Sequence, residues 1–504
     1  MSFSVALTSG IHTDALRHLL RSDGQEDLCF ALWNPSHGIR RKSALIHEII
    51  LPRESDREVH GNVEFMPSYF EKVLNVAVRR GMGIAFMHSH LGPGWQNMSL
   101  ADVQAEQHIA ASVKGATRLP LVGMTLGTDG AWSGRFWEKV GPGKYERQWC
   151  RTVRVVGKNG LQITFADHIY PPPKFRERLR RTVTAWGERS QAKLARTTFA
   201  VVGLGSVGSV VAESLVRMGI ANVKLIDFDI VEEKNLDRLL NCDEADIGEM
   251  KVKRIAQALR RDATAENFRV DEVPYSIVEE DGFRNALDCD VIFSCVDRPW
   301  PRSVLNLIAY AHLIPVVDGG ILIQTNKDGS LRGADWKAHV VGPHRRCLEC
   351  LGQFDPANVQ LEREGQLDNP VYIKTLSEDN SLRKNENVFS FSLNLASLQV
   401  LQMLSMVIAP LGLSNVGEHL YHFTTGRMDV ETRKGCSDSC IYQKVISMGD
   451  RCPYPVTGPH ERARTIRDAY HGRRKDSREA GKFLGKVGSA FRKPFKWRRS
   501  SAHK

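Results

Sequence analysis

The chain has 504 residues, too many for one compact core, so two folded domains with additional segments are expected. A hydrophobic fraction of 42% and a charged fraction of 25% are ordinary for a globular protein, and no uninterrupted apolar stretch approaches the roughly 18 residues that span a bilayer, so no transmembrane segment is expected. The net charge of +11 is local: Glu461 to Lys504 holds 15 Lys/Arg against 4 Asp/Glu, which leaves the preceding body formally neutral and ties the charge to a local partner or to solubility.

The N-terminus turns polar within ten residues and has no basic leader before a long apolar run, so it does not read as a signal peptide and a cytoplasmic location is expected. From Met1 to about Thr164, short apolar runs alternate with turn signals at Leu28–Trp33, Ala44–Pro52, Gly83–His90, Leu119–Val140 and Arg151–Phe165, the pattern of strands in a mixed sheet. Helical spacing interrupts them at Ser68–Arg80 (Phe70, Val73, Leu74, Ala77) and at Ser99–Ser112 (Leu100, Val103, Ile109). The first domain, residues 1–168, is therefore α+β.

The prolines Pro171 to Pro173 break the chain, and a charged segment of helical period follows, which marks 169–195 as a linker. Beyond it, Thr197–Val202 reads as a buried strand entering a glycine loop, Val210–Gly219 as a helix and Asn222–Asp229 as a second strand, a parallel βαβ unit. Further strands at Asp290–Asp297 and Leu313–Ile323 extend a doubly wound α/β sheet over 196–450. Residues 451–504 read as a basic, flexible tail.

In the first domain, Met87-His88-Ser89-His90 places two imidazoles on one face of a strand end, because strand side chains alternate. Asp102 arrives from the first turn of the next helix. Two histidines and a carboxylate are a ligand set for a hydrolytic zinc with an open position. Ser99 is placed to stabilise an oxyanion, with helix N-capping as the plainer alternative. These residues resemble the JAB/JAMM metalloprotease motif, a glutamate followed by His-x-His, a spacer and Ser-x-x-Asp. The resemblance implies that Glu26, before the apolar run Leu28–Leu32, is the general base, with Glu48 the competing position. The spacer Leu91–Met98 is one residue longer than is usual in that family, and Gly92 and Gly94 could absorb the difference.

In the second domain, Gly203-Leu204-Gly205-Ser206-Val207-Gly208 follows a strand and opens a helix, a loop that lets phosphates approach backbone N–H groups. Nicotinamide enzymes carry the same loop, with an acid downstream that Asp227 or Asp229 also supplies, so the glycines cannot separate the readings. Asn235, Arg238, Lys251 and Asp297 do. Attack of a carboxylate on an α-phosphate builds charge that Arg238, Lys251 and Mg²⁺ can spread, whereas hydride transfer needs none of them. This run resembles the MoeB/ThiF and ubiquitin-activating adenylation domain. The resemblance implies ATP as cofactor, with Asp227 on the ribose, Asn235, Arg238 and Lys251 on the triphosphate, and Asp297 on Mg²⁺. It also implies a homodimer in which an upstream arginine reaches the partner's ATP. Arg181 is the positional match, with a solvated basic helix as the alternative.

Ten cysteines are too few for a disulfide scaffold, and four fall in close pairs. Cys347 and Cys350, with Cys436 and Cys440, resemble the structural Zn²⁺ site that many members of that family carry. No cysteine lies in 351–435, where a thioester nucleophile would be sought. Cys29, Cys150, Cys242, Cys289, Cys295 and Cys452 remain without a role. The tail interleaves Phe483, Leu484, Val487, Phe491, Phe495 and Trp497 with positive charge, as a membrane-surface or nucleic-acid segment would, or as a solubilising disordered one. No sequence-specific nucleic-acid motif is visible.

The two resemblances share one substrate. The expected function is ATP-dependent adenylation of the C-terminus of a ubiquitin-like or sulfur-carrier protein, combined with metal-dependent peptidase processing or deconjugation of that protein. A conjugating enzyme or sulfur donor would be a further partner, and an antiviral setting follows by family analogy alone. The alternatives are sulfur-carrier activation without a thioester, a non-catalytic scaffold, and a nicotinamide oxidoreductase.

Overall fold

The structure is a computed structural model, and it describes residues 1–60, 62–158, 160–376, 386–409, 417–431 and 435–474. Its first part is a mixed sheet built from β1 (Ser2–Thr8), β2 (Leu28–His37), β3 (Arg41–Ile50), β6 (Gly83–Ser89), β7 (Leu121–Leu126), β8 (Trp132–Gly141), β9 (Lys144–Trp149), β10 (Thr152–Gly157) and β11 (Gly160–Phe165), with a separate hairpin of β4 (Arg57–His60) and β5 (Asn62–Phe65). The sheet order is β11-β10-β1-β3-β2-β6-β7-β8-β9. Helix α1 (Ser9–Leu19) follows β1, α2 (Pro67–Arg80) precedes β6, and α3 (Leu100–Thr117) follows it.

The central strands are buried on both faces, which is why β2 and β6 read as continuous apolar runs with no alternation. Cys29, Ala31 and Trp33 pack in one core with Ala85 and Met87, while Phe30 and Leu32 pack in another with Tyr69 and Val73 of α2 and Ile109 of α3. Leu100, counted by its spacing toward the α3 core face, is 75% exposed. It is the first residue of α3, directly after the N-cap Ser99.

After α4 (Arg180–Arg196) the second sheet runs through β12 (Thr198–Val202), α5 (Ser206–Arg217), β13 (Asn222–Ile226), α6 (Lys251–Asp262), β14 (Arg269–Val273), α7 (Glu280–Ala286), β15 (Val291–Ser294), α8 (Pro299–Ala311) and β16 (Val316–Thr325). The parallel order is β14-β13-β12-β15-β16, so successive strands leave β12 in opposite directions and open a crevice above its C-terminal end. The parallel pattern stops at β16. β17 (Leu331–Val341), β18 (Glu418–His422) and β19 (Arg427–Glu431) continue the sheet antiparallel, and α9 (Pro356–Arg363), α10 (Pro370–Thr375) and α11 (Phe389–Ile408) lie between β17 and β18 in sequence. The doubly wound sheet expected from sequence is the parallel half, and β17 to β19 add an antiparallel extension to it.

Helix α11 is long and apolar enough to cross a membrane by length and composition, which the search for uninterrupted apolar runs missed because Ser and Gln punctuate it. Its Gln399 donates to Ser294 O (3.0 Å) and Val317 O (3.1 Å), and Leu395, Ala396, Met403 and Met406 are buried against the sheet, so the helix is part of the core.

The two parts meet over a polar interface. Arg41 Nη1 lies 2.7 Å from Asp290 Oδ1 with both side chains buried, Asn34 donates to Ser447 O (3.0 Å), and Ser36 Oγ is 2.8 Å from His312 Nδ1. The short α12 (Ile441–Lys444) and the turn after it bring the chain back onto β2. The segment beyond, expected to be flexible from residue 451, is held through 474: residues 461–474 form a helix, α13, with Ala463 and Tyr470 buried. Ala463, Ile466, Arg467 and Tyr470 fall at helical spacing on one face, and that stripe is what docks. The rest of the basic tail, 475–504 with its aromatic residues, lies outside the described residues.

Candidate active site

The crevice above β12 is a cavity of about 1570 Å³ lined by Gly203, Gly205, Asp227, Asn235, Arg238, Lys251 and Asp297, so the structure brings together the residues singled out for nucleotide chemistry. The three glycines do different things. Gly203 has φ +86°, and a Cβ there would lie 2.6 Å from Cys295 O. A Cβ on Gly208 would lie 1.8 Å from Gly203 O, so Gly208 lets α5 start against the loop and is not itself a cavity residue. Gly205 faces open space, where a phosphate can reach the backbone and the N-terminus of α5.

Asp227, expected on the ribose, is buried, and both of its oxygens are engaged. Oδ2 accepts from Leu204 N (2.6 Å) and Oδ1 from Asp229 N (2.7 Å), so this carboxylate fixes the glycine loop against the end of β13. Asp229 is the freer acid. Its Oδ2 is 3.2 Å from Lys251 Nζ and its Oδ1 is 3.5 Å from a guanidinium nitrogen of Arg462 on α13. Burial would lower the Lys251 pKa, but Asp227 and Asp229 hold it above its ordinary value, so the ammonium is charged at the cavity wall. Asn235 caps its own short turn by accepting from Glu232 N (3.2 Å), and Arg238 is tethered to Lys234 O (2.6 Å) and Asp237. Asp297 is exposed into the cavity beside Glu362, whose carboxyl burial pushes up to about 7. A cavity acid on a loop at the end of β15 fits a hard cation such as Mg²⁺.

Arg181 lies on the exposed side of α4 and does not line the cavity of its own chain. Gly187, with φ +83°, kinks α4 and separates this exposed first half from the buried Gln191, Ala192, Leu194 and Ala195. Among the lining residues that escaped the sequence reading are His460 and Arg462, because the basic composition around them read as tail.

The four paired cysteines also converge. Their sulfurs lie within 4.8 Å of one another, with Cys347 Sγ 3.7 Å from Cys440 Sγ, and Cys347 N and Gln443 Nε2 each donate to Cys436 Sγ at 3.2 Å. Backbone donors around clustered sulfurs fit thiolates held by a closed structural zinc.

In the first part, β6 and α3 bring His88, His90 and Asp102 together. His88 Nε2 and His90 Nε2 are 3.2 Å apart, and Asp102 oxygens lie 3.4 Å and 3.2 Å from them. Ser99 and Asp102 form a reciprocal cap, Asp102 N donating to Ser99 Oγ (3.1 Å) and Ser99 N to Asp102 Oδ2 (2.7 Å). Burial works to raise the Asp102 pKa, yet His88 and His90 pull it well below the usual carboxylate range. Two imidazoles and a carboxylate turned toward one point fit a divalent zinc. Glu26 is raised by burial and opposed by His90 and His88, which puts it within electrostatic reach of the cluster. Glu48 is paired with Arg80 instead. The long spacer is accommodated as expected: Gly94 has φ +76°, and Gln96 Nε2 donates to the Gly92, Pro93 and Gly94 carbonyls. Beneath the cluster, Thr125 Oγ1 contacts His88 Nε2 (3.3 Å) and accepts from Arg135 (2.7 Å), which forms a fully buried pair with Glu106.

Comparison with known proteins places the second part. The ThiF family matches residues 178–440, more than half of the chain. The chain belongs to the ThiF family. Among ThiF relatives, the adenylyltransferase and sulfurtransferase UBA4 of Meyerozyma guilliermondii is 28% identical over 159 residues, 32% of this chain and 36% of that protein. tRNA threonylcarbamoyladenosine dehydratase 2 of Saccharomyces cerevisiae is 30% identical over 207 residues, 40% of this chain and 44% of that protein. The molybdopterin-synthase adenylyltransferase of Escherichia coli K12 is 30% identical over 134 residues, 26% of this chain and 52% of the relative. The chain spans between about a third and a half of the length of these relatives. A solved structure of E. coli MccB with ATP is similar at 18% identity and a TM-score of 0.40, covering 53% of this chain and 74% of that one.

Proposed function

We propose that this ThiF-family chain adenylates the C-terminal carboxylate of a ubiquitin-like or sulfur-carrier protein. The observation that carries the reading is the convergence of Lys251, Arg238, Asn235 and Asp297 on one cavity at the glycine loop. A carboxylate oxygen attacks the α-phosphorus of ATP, the bond from that phosphorus to the bridging oxygen breaks, and pyrophosphate leaves with the electron pair. Lys251 and Arg238 neutralise charge gathering on the phosphates, Gly205 lets backbone N–H groups approach them, and Asp297 would hold Mg²⁺. Mg²⁺, when bound, supplies charge neutralisation on the leaving group. A nicotinamide reading is disfavoured because it leaves the buried, charged Lys251 without a task.

The thiols favour capture of the adenylate without a thioester on this chain. Burial raises Cys242 to about 11 and pushes Cys295 well above the thiol range, and Cys29, Cys150 and Cys289 are buried and raised likewise. Sulfur-carrier activation therefore ranks above transfer to a cysteine of this chain. A homodimer and a conjugating enzyme are part of the proposal only as family habits, with Arg181 the residue that a dimer would have to bring to the partner's cavity.

A second activity is favoured by the cluster of His88, His90 and Asp102 with Glu26 in reach. We infer a JAMM-type metallopeptidase in residues 1–168 that trims or releases the same carrier protein. Zinc, when bound there, supplies Lewis acidity to a peptide carbonyl. Glu26, raised by burial, is suited to move a proton to the leaving amine, and Ser99 stands beside Asp102 at the helix start. Incubation with ATP, Mg²⁺ and a small protein ending in Gly-Gly tests the first reading: mass spectrometry should find an acyl-adenylate, the mixed anhydride of AMP with the carrier's C-terminal carboxylate. Binding of NADH with no AMP adduct on any carrier would reject it.

A further inference from the structure

The nucleotide cavity is not closed by the ThiF elements alone. Residues 456–474 return across its rim and are pinned on both sides. Trp300 Nε1 of α8 donates to Val456 O (2.8 Å); at the β14–α7 connection, Gly458 N donates to Val278 O (2.9 Å), and Arg467 grips Glu279 with two bonds (2.6 and 2.8 Å) while its guanidinium lies 4.4 Å above the Tyr275 ring. On the α6 side, Tyr470 donates to Glu249 (2.8 Å) and accepts from Lys253 (3.2 Å). Between these anchors two side chains line the cavity, His460 and Arg462.

Their settings are those of ligand-facing groups. The His460 ring meets Phe228 edge-on at 4.9 Å and Trp300 at 6.0 Å, and its Nδ1 is buried with no hydrogen-bond partner. That nitrogen is turned into the protein, so what the ring offers the cavity it lines is a packing surface. Arg462 reaches Asp229 (3.5 Å) and Asp368 (3.7 Å) at long, bent distances, and stands 5.7 Å from the Phe228 ring. Asp229 and Phe228 follow β13, whose end bears the nucleoside half of a bound nucleotide in sheets of this winding, whereas the glycine loop takes the phosphates.

We propose that the C-terminal segment is a part of the nucleotide site, with His460 and Arg462 contacting the base and ribose of a purine nucleoside triphosphate. The inference rests on the adenylation reading and adds to it a recognition element that lies beyond the ThiF match, which ends at residue 440. The His460 ring, set edge-on to Phe228, gives the base a surface to pack on, and Arg462 shares Asp229 with the ribose hydroxyls.

The test uses the full chain, with pyrophosphate exchange measured as a function of ATP and calorimetric titration with ATP and with GTP. For His460→Ala and Arg462→Ala the KM for ATP should rise about tenfold, the size of one lost ring-packing or charged contact to the nucleoside. The KM for the carrier protein should stay at the wild-type value, and Arg462→Lys should recover part of the loss. Because either variant could unfold α13, hydrogen exchange on the wild-type chain gives an independent readout: ATP should slow exchange at residues 458–462. Wild-type KM values in both alanine variants, or no ATP-dependent protection, would overturn the proposal while leaving adenylation standing. A wild-type chain that neither binds ATP nor exchanges pyrophosphate would overturn adenylation itself.

Discussion

Lys251 is tied twice to Asp229, through its side chain at 3.2 Å from Oδ2 and through its backbone N at 3.0 Å from the Asp229 carbonyl. The first residue of α6 is therefore fixed to the end of β13, and an ammonium is held charged inside the cavity by two acids. Replacing it should remove cation stabilisation from the transferring phosphate. Lys251→Ala is expected to lower pyrophosphate exchange about 100-fold, in the range seen when one preorganised electrostatic contact is deleted. The melting temperature should also fall, because Asp227 and Asp229 lose their buried counter-charge. Exchange within threefold of wild type would remove Lys251 from the mechanism.

The proposed chemistries draw on separate residues. Asp297→Ala should abolish exchange and leave peptide-bond cleavage at wild-type rates, and Glu26→Ala should do the reverse, with exchange measured on a carrier that ends in Gly-Gly and cleavage on the same carrier extended past that end. Loss of both activities in either variant would indicate one coupled site.

Metal content divides the two clusters. The purified chain should carry two zinc ions by elemental analysis, His88→Ala and Cys347→Ser each removing one. Cys347→Ser should also cost several kcal/mol of stability, since a closed tetrathiolate contributes folding energy, while His88→Ala should leave the melting temperature within a few degrees. Full zinc occupancy in Cys347→Ser would assign the sulfurs a different role.

Much of the parallel half was legible because β12, β13 and β15 are four or five mostly apolar residues beside Gly, Asn or Asp, and Thr198–Val202 followed by Gly203 is the plainest case. The His88–His90 strand end and Asp102 were legible for the same reason, a strand period followed by a helix cap. β17 was not, since Arg332, Gly333, Asp335 and Lys337 break up its first half and one of its two partners, β18, lies about 80 residues on. The division of work between Asp227 and Asp229 was hidden too. Two acids two residues apart share a strand face, and only the backbone N–H groups of Leu204 and Asp229 decide which carboxylate is consumed. His460 and Arg462 were masked by net charge, although the stripe Ala463, Ile466, Arg467 and Tyr470 carries the periodicity that docks them.

The joint between the two parts should be acid-sensitive. His312, buried and bonded to Ser36, is pushed down to about 4 by burial. The unfolded chain takes up this proton as pH falls below about 6.5, and the folded chain does not until about 4. The group thus contributes stability that is present above 6.5 and is lost as pH falls toward 4, roughly 2 kcal/mol by pH 5. His312→Asn should shrink the difference in urea midpoint between pH 7.5 and pH 5, though not to zero, because buried His339 is lowered to about 4 as well. An unchanged difference would mean that the interface does not sense this proton.

The central claim, that Lys251, Arg238 and Asp297 form an adenylation site, is tested most directly by exchange of labelled pyrophosphate into ATP, run with Mg²⁺ and a small protein ending in Gly-Gly. The account predicts carrier-dependent exchange that disappears when the carrier's terminal carboxylate is amidated and when Asp297 is replaced by Ala. Exchange that ignores the carrier's terminus, or none with any such carrier while NADH binds in the same cavity, would contradict it.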